Sequence, residues 1–251
     1  MKKKHLILAA LLLSASASHA SLIAHYDFSD GNLLDNETGN ASYDLTQSTV
    51  KGDGITLNGD GFSANFDNSA GANYLIQDNF NTAAGSAYTV SMWFRSSNMA
   101  QGAQTGMFST IGASQWQLEI GTTSKIGVRL STNPGELNSD ILPANDTWTH
   151  YAFVTNGVGI SQLYVTKDGE TLTLTDTDSS TFGLEDFRIG VNRGGNLTYD
   201  GDYANIAIYS TALDTAALQT VLNAGPAAIP EPSSAALLGL GGLALILRRR
   251  K

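Results

Sequence analysis

Glycoside hydrolysis would require two carboxyl groups facing one bond, one as general acid and one as nucleophile or base. The acids in the body of this 251-residue chain that come nearest to such an arrangement are Asp168 and Glu170, separated by Gly169. An Asp-Gly pair between two strand-like segments favours a tight hairpin turn, which accounts for these residues without catalysis. We therefore expect no enzymatic activity, and a glycoside hydrolase is the least favoured function.

Nucleophilic catalysis is not indicated by the sequence either. His25 and His150 fall midway along separate predicted strands, and no Gly-x-Ser-x-Gly motif accompanies them. The chain contains no cysteine, which excludes a thiol nucleophile and zinc–thiolate sites. Both histidines are expected to be structural.

A sugar-binding site would combine an exposed aromatic ring, which stacks on a pyranose, with amides and carboxylates for the hydroxyl groups. Alternation in "AYTVSMWFR" places Trp93 and Arg95 on one strand face. The loop "NLTYDGDY" brings Asn196, Tyr199 and Asp200 together. These five residues are the ligand-binding candidates, with burial of Trp93 under a loop as the open alternative. The other two tryptophans align with apolar neighbours and are predicted to lie in the core.

Calcium is the metal that the composition favours, because it takes six to eight oxygen ligands from carboxylates, amides and carbonyls. Asp200 and Asp202 lie in a loop before the last predicted strand, and Asp27 follows the first predicted strand. If these two strands are neighbours, the three carboxylates are candidate calcium ligands. Simple solvation of acids in loops is the open alternative.

The segments that would position these residues are short and rich in Val, Ile, Thr, Tyr and Phe, with clusters of Gly, Asn, Asp and Ser between them. This pattern predicts an all-β fold, a two-sheet sandwich or jelly roll. One short C-terminal helix is predicted over "TAALQTVLNA", where Asp214 caps the start and Gly225 with Pro226 ends it.

Both ends of the chain carry an apolar segment flanked by basic residues. Residues 1–20 have the features of a secretory signal peptide, and cleavage by signal peptidase is expected before Ser21. The second apolar run, residues 235–247, would reach about 20 Å as a helix. This is less than the roughly 30 Å of a bilayer's hydrocarbon core. Because the basic residues after it stay on the cytoplasmic side, we predict a terminal hydrophobic helix that acts as a weak inner-membrane anchor.

The body between these ends, residues 21–225, has an ordinary size for one all-β domain, and residues 226–229 form a short linker. The body has seven Lys and Arg against 22 Asp and Glu, which gives a net charge of −15. Nucleic acid is excluded as a partner, because phosphate binding needs clustered Lys and Arg. A surface this acidic suits neutral sugars, cations or basic partners.

The order of several segments resembles that of LamG-like jelly-roll proteins in the concanavalin A-like superfamily. The likeness covers nearly all of residues 22–225 and includes "LIAHYDFSDG", "AYTVSMWFR" and "DTWTHYAFVTNGVGISQLYVTKDGE". It implies binding of extracellular polysaccharide or a matrix protein, with a structural or adhesive matrix component as the alternative. The chain lacks the Glu-x-Asp-x-Glu pattern of catalytic members. Ala204 and Asn205 stand where the closing strand of the family usually carries an acidic pair. The resemblance therefore does not imply the calcium site of related sandwiches.

Residues 230–251 resemble a PEP-CTERM sorting tail, with a short motif, a Leu/Gly/Ala-rich run and a basic end. The motif and the basic end consist of Pro230, Glu231, Pro232, Arg248, Arg249 and Arg250. The resemblance implies recognition and removal by exosortase, a membrane protease-transpeptidase of Gram-negative bacteria that make a polysaccharide biofilm matrix. We therefore expect export, a transient anchor in the inner membrane, and then a position at the cell surface or in the extracellular matrix.

Overall fold

The computed structural model describes residues 21–48, 54–68, 71–82, 85–102, 104–112, 116–120, 126–130, 136–166, 171–180 and 182–227. Within them the chain forms fifteen strands, a short 3₁₀ helix at Ala41–Tyr43 and one α-helix, α1, at Thr215–Ala224. The strands are β1 Leu22–Tyr26, β2 Thr46–Gln47, β3 Ile55–Leu57, β4 Ser63–Phe66, β5 Leu75–Gln77, β6 Tyr88–Arg95, β7 Thr105–Thr110, β8 Trp116–Ile120, β9 Ile126–Leu130, β10 Glu136–Asn138, β11 Thr149–Thr155, β12 Ser161–Val165, β13 Leu174–Asp178, β14 Phe187–Ile189 and β15 Gly201–Tyr209.

The strands pair in antiparallel fashion into two sheets. Sheet A has the order β13-β12-β11-β6-β15-β4-β3, and β1 also pairs with β15. Sheet B has the order β10-β9-β8-β7-β14-β5-β2. Many neighbours in each sheet are distant in sequence, so the chain crosses repeatedly from one sheet to the other. The predicted all-β, two-sheet jelly-roll sandwich with one short C-terminal helix is confirmed.

The main core lies between the two sheets and is rich in aromatic rings. In sheet B the ring of Phe108 stacks on Trp116 and Phe187, with centroid separations of 5.5 and 4.9 Å. Phe153 of sheet A meets Trp116 at 4.7 Å from the other side. Because side chains alternate along a strand, these inward rings fix which residues of sheet B point outward.

Helix α1 covers part of the outer face of sheet A. Asp214 caps it by accepting a hydrogen bond from the backbone N–H of Ala217 at 2.8 Å, and Gly225 ends it with a φ of 81°. The buried side of the helix consists of Leu218, Val221 and Leu222. The first two pack on side chains of sheet A that include Ala152, Ala207 and Tyr209, and Leu222 packs with Trp93 and Ala204. The helix therefore closes one outer face of the sandwich.

Several sequence predictions concern residues outside the described ranges. They are the signal peptide, the terminal hydrophobic helix, the sorting tail and the turn at Asp168-Gly169. The strands that flank this turn, β12 and β13, do pair antiparallel. Among the helices of the described residues, none has the length and apolar character needed to cross a membrane.

Candidate functional site: a polar face on sheet B

A row of polar residues crosses the outer face of sheet B on strands β14, β7 and β8. The strand register pairs Arg188 with Ser109 and Ser109 with Gln117, so these three residues share one face. Glu119 lies on the same face, two residues beyond Gln117. Gln117 and Glu119 are nevertheless only 3% and 5% exposed. Another part of the chain must therefore cover them.

The cover is the loop at residues 192–197, which is bonded directly to the polar row. The side-chain oxygen of Gln117 accepts a hydrogen bond from the backbone N–H of Arg193 at 3.0 Å. The side-chain nitrogen of Gln117 donates to the carboxylate of Glu119. Since both ends of the Gln117 amide are engaged, this side chain fixes the loop on the sheet.

The same loop is braced internally by a second amide. Asn192 Oδ1 accepts hydrogen bonds from the backbone N–H groups of Asn196 and Leu197 at 3.0 and 3.2 Å. The approach of the loop to β7 also requires a glycine: a Cβ on Gly106 would lie 2.1 Å from the backbone nitrogen of Asn192. The loop is therefore held in one conformation before any ligand arrives.

Arg188 lies beside the braced loop and has spare hydrogen-bonding capacity. Its guanidinium carbon lies 5.5 Å from the ring centroid of Tyr74, and Nη1 donates to the carbonyl of Arg193 at 3.2 Å. Nε is buried and finds no acceptor among the described residues. Arg188 and Tyr74 are both partly exposed. A partly exposed arginine, a partly exposed aromatic ring and nearby amides form the kind of constellation that binds sugars.

Of the three ligand-binding candidates in the loop "NLTYDGDY", two are exposed and one is buried. Asn196 and Asp200 are exposed at either side of Tyr199. Tyr199 is 0% exposed, because its ring packs edge-on against Phe94 and Tyr203, at 6.3 and 5.2 Å. The expectation that Tyr199 presents an exposed ring for stacking is therefore wrong, whereas Asn196 lies in the loop that covers sheet B.

The tryptophans also differ from their expected exposure. Trp93 is 3% exposed and packs with Leu222 of α1, so the helix rather than a loop covers it. It therefore has no free face for a sugar, which corrects its role as a ligand-binding candidate. Trp116 is buried in the core, as predicted. Trp148 was expected in the core but is partly exposed.

Arg95 lies on the outer face of sheet A. This is the opposite side of the sandwich from the outer face of sheet B that carries Arg188 and Tyr74, which we call the Arg188 face. Its Nε donates to Asp202 Oδ2 at 2.7 Å, and its Nη2 lies 3.9 Å from Asp60 Oδ2. The guanidinium carbon is 4.7 Å from the ring centroid of Trp148. The residues predicted to form one ligand site thus fall on the outer faces of two different sheets.

The three acids predicted to bind calcium do not form a metal site. Asp202 Oδ1 already accepts hydrogen bonds from Asn58 and Asn65, at 3.0 and 2.9 Å. Asp27 follows the end of β1, whose last pair with β15 lies four residues from Asp202, or more than about 10 Å along the strand. In the described residues no three His, Asp or Glu side chains are grouped to hold an ion. The geometry therefore does not fit calcium bound by Asp27, Asp200 and Asp202.

Ser91 and His150 form a buried pair that resembles a nucleophile and its base. The Ser91 hydroxyl and His150 Nε2 are 2.8 Å apart, and His150 is 0% exposed. Its Nδ1 has no hydrogen-bond partner in the described part of the chain, so no carboxylate orients the ring. Complete burial lowers the pKa of His150 to about 3, which keeps the imidazole neutral. The pair is closed to substrates, and its geometry is that of a core contact.

Comparison with known families identifies the class of protein that this fold and site define. Residues 68–219 match the family model for the concanavalin A-like lectin/glucanases superfamily. The match spans more than half of the chain, and the chain therefore belongs to this superfamily. Residues 228–251 match the PEP-CTERM protein-sorting motif, which marks a protein for export, surface sorting and processing by exosortase. No curated protein sequence matches the chain.

Solved structures share the fold at low sequence identity. The ligand-binding domain of botulinum neurotoxin serotype D, in complex with N-acetylneuraminic acid, aligns with 81% of this chain and 50% of its own, at 16% identity and a TM-score of 0.61. Domain 4 of an extracellular arabinanase from Geobacillus stearothermophilus, in complex with arabinotriose, aligns with 80% of this chain and 98% of its own, at 21% identity and a TM-score of 0.51. The chain thus spans about half the length of the neurotoxin domain, and at these identities the likeness shows the fold alone.

Proposed function

We propose that this protein is exported to the cell surface or extracellular matrix, where its LamG-like domain binds a polysaccharide through the outer face of sheet B. The observation that carries the proposal is the partly exposed side chain of Arg188, whose guanidinium carbon lies 5.5 Å from the ring centroid of the partly exposed Tyr74. A sugar chain lying across this face meets the Arg188 side chain beside the exposed Asn196 of the covering loop.

The hydrogen-bonding state of Arg188 supports ligand binding at this position. Nη1 donates to the carbonyl of Arg193 at 3.2 Å, which holds the guanidinium beside the covering loop. The planar guanidinium presents several donors in a fixed arrangement, which suits neighbouring oxygens on one sugar ring. The ring of Tyr74 and the partly exposed Ile76, next but one along the chain, add apolar surface for the C–H groups.

The rigidity of the loop supports the same assignment. Binding is weakened when a loop has to be ordered at the moment of association, and a loop already fixed by Gln117 and Asn192 avoids that loss. At the level of fold, two of the solved neighbours are complexes with sugars, one with arabinotriose and one with N-acetylneuraminic acid. A function argued from fold needs a site, and the Arg188 face supplies one.

The route to the surface follows from the two ends of the chain. In this proposal signal peptidase removes residues 1–20, and residues 230–251 hold the domain transiently at the inner membrane of a Gram-negative bacterium. Exosortase then removes this tail, which leaves residues 21–225 and the linker at 226–229 as the mature protein. Mass spectrometry of the surface protein tests this, because an intact Arg248-to-Lys251 end contradicts tail removal.

Glycan-array binding of the purified mature protein tests the main proposal, with neutral and carboxylated polysaccharides and arabinotriose among the probes. We expect retention on at least one glycan class and a loss of about tenfold or more in affinity for Arg188→Gln. Arg188→Lys should lose part of the affinity, since it keeps the charge but not the planar fork. Gln219→Ala, at a partly exposed position on α1, is the matched control and should bind normally.

Two outcomes would contradict the proposal. If the wild-type protein binds no glycan, a structural or adhesive matrix role without a small-ligand site explains the fold better. If a glycan is bound but Arg188→Gln binds it as tightly as Gln219→Ala, the ligand lies elsewhere on the domain. Circular dichroism of each variant shows whether a loss of binding reflects a loss of folding.

A further inference from the structure

We infer that the domain has a second carbohydrate contact, on the outer face of sheet A, made by Trp148, Phe62, Arg95 and Asp60. We call these four residues the Trp148 platform. Its ligand is an uncharged sugar ring, whose C–H groups cover the two aromatic rings and whose hydroxyl bridges Arg95 and Asp60. The inference rests on the proposed function only for the class of ligand, since the two sites share no residue.

The platform begins where helix α1 stops covering sheet A. Leu222, near the end of the helix, is buried with Trp93, and the partly exposed Phe62 and Trp148 pack against the same cluster. Arg95 lies in the strand register opposite Asp202, at the end of β6. The helix therefore shields Trp93 but leaves Phe62, Trp148 and Arg95 in contact with solvent.

The aromatic part of the platform is fixed in place by its neighbours. The rings of Phe62 and Trp148 are 6.0 Å apart and inclined at 45°. The Arg95 guanidinium carbon lies 4.7 Å from the Trp148 centroid and is held there by the 2.7 Å bond to Asp202. Because these contacts already order the rings, a ligand does not need to order them on binding.

The polar part of the platform contains a gap that a hydroxyl group fits. Arg95 Nη2 and Asp60 Oδ2 are 3.9 Å apart, which is too far for a direct hydrogen bond. A hydroxyl between them lies within hydrogen-bonding distance of both, accepting from Nη2 and donating to Oδ2. The side chains of Arg95 and Asp60 are 34% and 26% exposed, so a sugar has access to the gap.

Asp60 is oriented and charged as this role requires. Its Oδ1 accepts from the backbone N–H groups of Phe62 and Ser63, both at 3.1 Å, and its Oδ2 accepts from the Ser63 hydroxyl at 2.6 Å. Partial burial raises the pKa of Asp60, but the bonds from Ser63 and Phe62 and the charge of Arg95 outweigh it, so the pKa is lowered overall. Asp60 is therefore a fixed carboxylate acceptor at neutral pH.

The two contacts lie on opposite sides of the sandwich, and this has a functional consequence. Packed sheets are separated by about 10 Å, and the two faces point in opposite directions, so one sugar ring cannot occupy both sites. A single domain can therefore bind two separate polysaccharide chains. In an extracellular matrix such a protein cross-links the polymer that it binds.

Tryptophan fluorescence gives a direct test in the mature protein. Trp93 and Trp116 are buried, so quenching by acrylamide reports mainly on Trp148. The probes are galactose, glucose, mannose and arabinose at high millimolar concentration. We expect at least one of them to reduce the quenching of Trp148 in the wild-type protein. Protection by none of the four sugars would overturn the inference.

Substitutions separate this site from the one on sheet B. Asp60→Asn keeps the shape of the side chain but removes the charge, and we expect protection of Trp148 to fall several-fold. Arg188→Gln should leave the protection unchanged, and its loss in that variant would overturn the second site in favour of a single one. Cross-linking is measured by light scattering, and we expect the wild type to aggregate a soluble polysaccharide that it binds. Trp148→Phe keeps an aromatic ring, so it should still bind this polysaccharide, but the mixture should scatter less light than with the wild type. Unchanged scattering by Trp148→Phe and by Asp60→Asn would also overturn the inference.

Discussion

The burial of His150 makes the stability of the domain depend on pH. The imidazole is 0% exposed, bonded through Nε2 to Ser91 at 2.8 Å, and its pKa is lowered to about 3 by desolvation. In the unfolded chain the same group has a pKa of about 6.5. The unfolded state therefore binds a proton that the folded state does not, at every pH between these two values.

The sign and size of the effect follow from this difference. Stability from the neutral His150 is fully present above the unfolded pKa and is lost as the pH falls from about 6.5 toward 3. At pH 5, protonation of the unfolded state lowers the free energy of unfolding by about 2 kcal/mol, because each pH unit below about 6.5 contributes roughly 1.4 kcal/mol. His25, whose pKa is also lowered by burial, contributes in the same direction.

Urea unfolding at pH 7 and pH 5, followed by circular dichroism, measures this loss. We expect His150→Gln to reduce the loss between the two pH values by about 2 kcal/mol relative to the wild type. Ser91→Ala is the control: it removes the hydroxyl partner but keeps the buried imidazole, so its pH dependence should remain that of the wild type. If His150→Gln and the wild type lose the same stability at pH 5, His150 is not buried in its neutral form and the reasoning fails.

Two further substitutions test the elements that position the sites. Asp214→Ala removes the cap of α1 and should lower the free energy of unfolding by about 1 kcal/mol, as measured by urea titration. Gly106→Ala places a Cβ 2.1 Å from the backbone nitrogen of Asn192, so the covering loop must move. We expect this variant to lose about tenfold in affinity for the glycan retained by the wild type. Its melting temperature should show that the domain remains folded. Normal affinity would show that the position of the loop does not matter for binding.

Strand patterns in the sequence were enough to predict the sandwich, because alternation is a local property. Trp93 and Arg95 do share a face, as their spacing in "AYTVSMWFR" requires. What alternation does not specify is which outer face the helix covers. Leu222 belongs to a segment far along the chain, and its packing on Trp93 decides that this tryptophan is buried while Trp148 is not.

The Arg188 face was missed for a related reason. Arg188 and Tyr74 lie on neighbouring strands in space but are more than a hundred residues apart in sequence, and neither belongs to a motif. The local signal was present in both segments: Phe187 and Ile189 point inward, and so does Leu75. Their neighbours Arg188 and Tyr74 must therefore point outward. Only the pairing of β14 with β5 brings the two outward residues together.

Asparagine side chains brace several loops of this domain, whose sequence contains no cysteine. Without disulfides, each loop has to be fixed by groups that satisfy several backbone atoms at once. Asn36 accepts from the backbone N–H of His25 and donates to the carbonyl of Asn40, and Asn192 accepts from two N–H groups of the loop over sheet B. Such bonds stabilise only by about 1 kcal/mol each, but they define geometry through paired donors and acceptors. The conformation of the loop over sheet B therefore depends on amide side chains, as that of a disulfide-rich module depends on its cross-links. Asn192→Ala should therefore weaken glycan binding by a larger free energy than it removes from the free energy of unfolding.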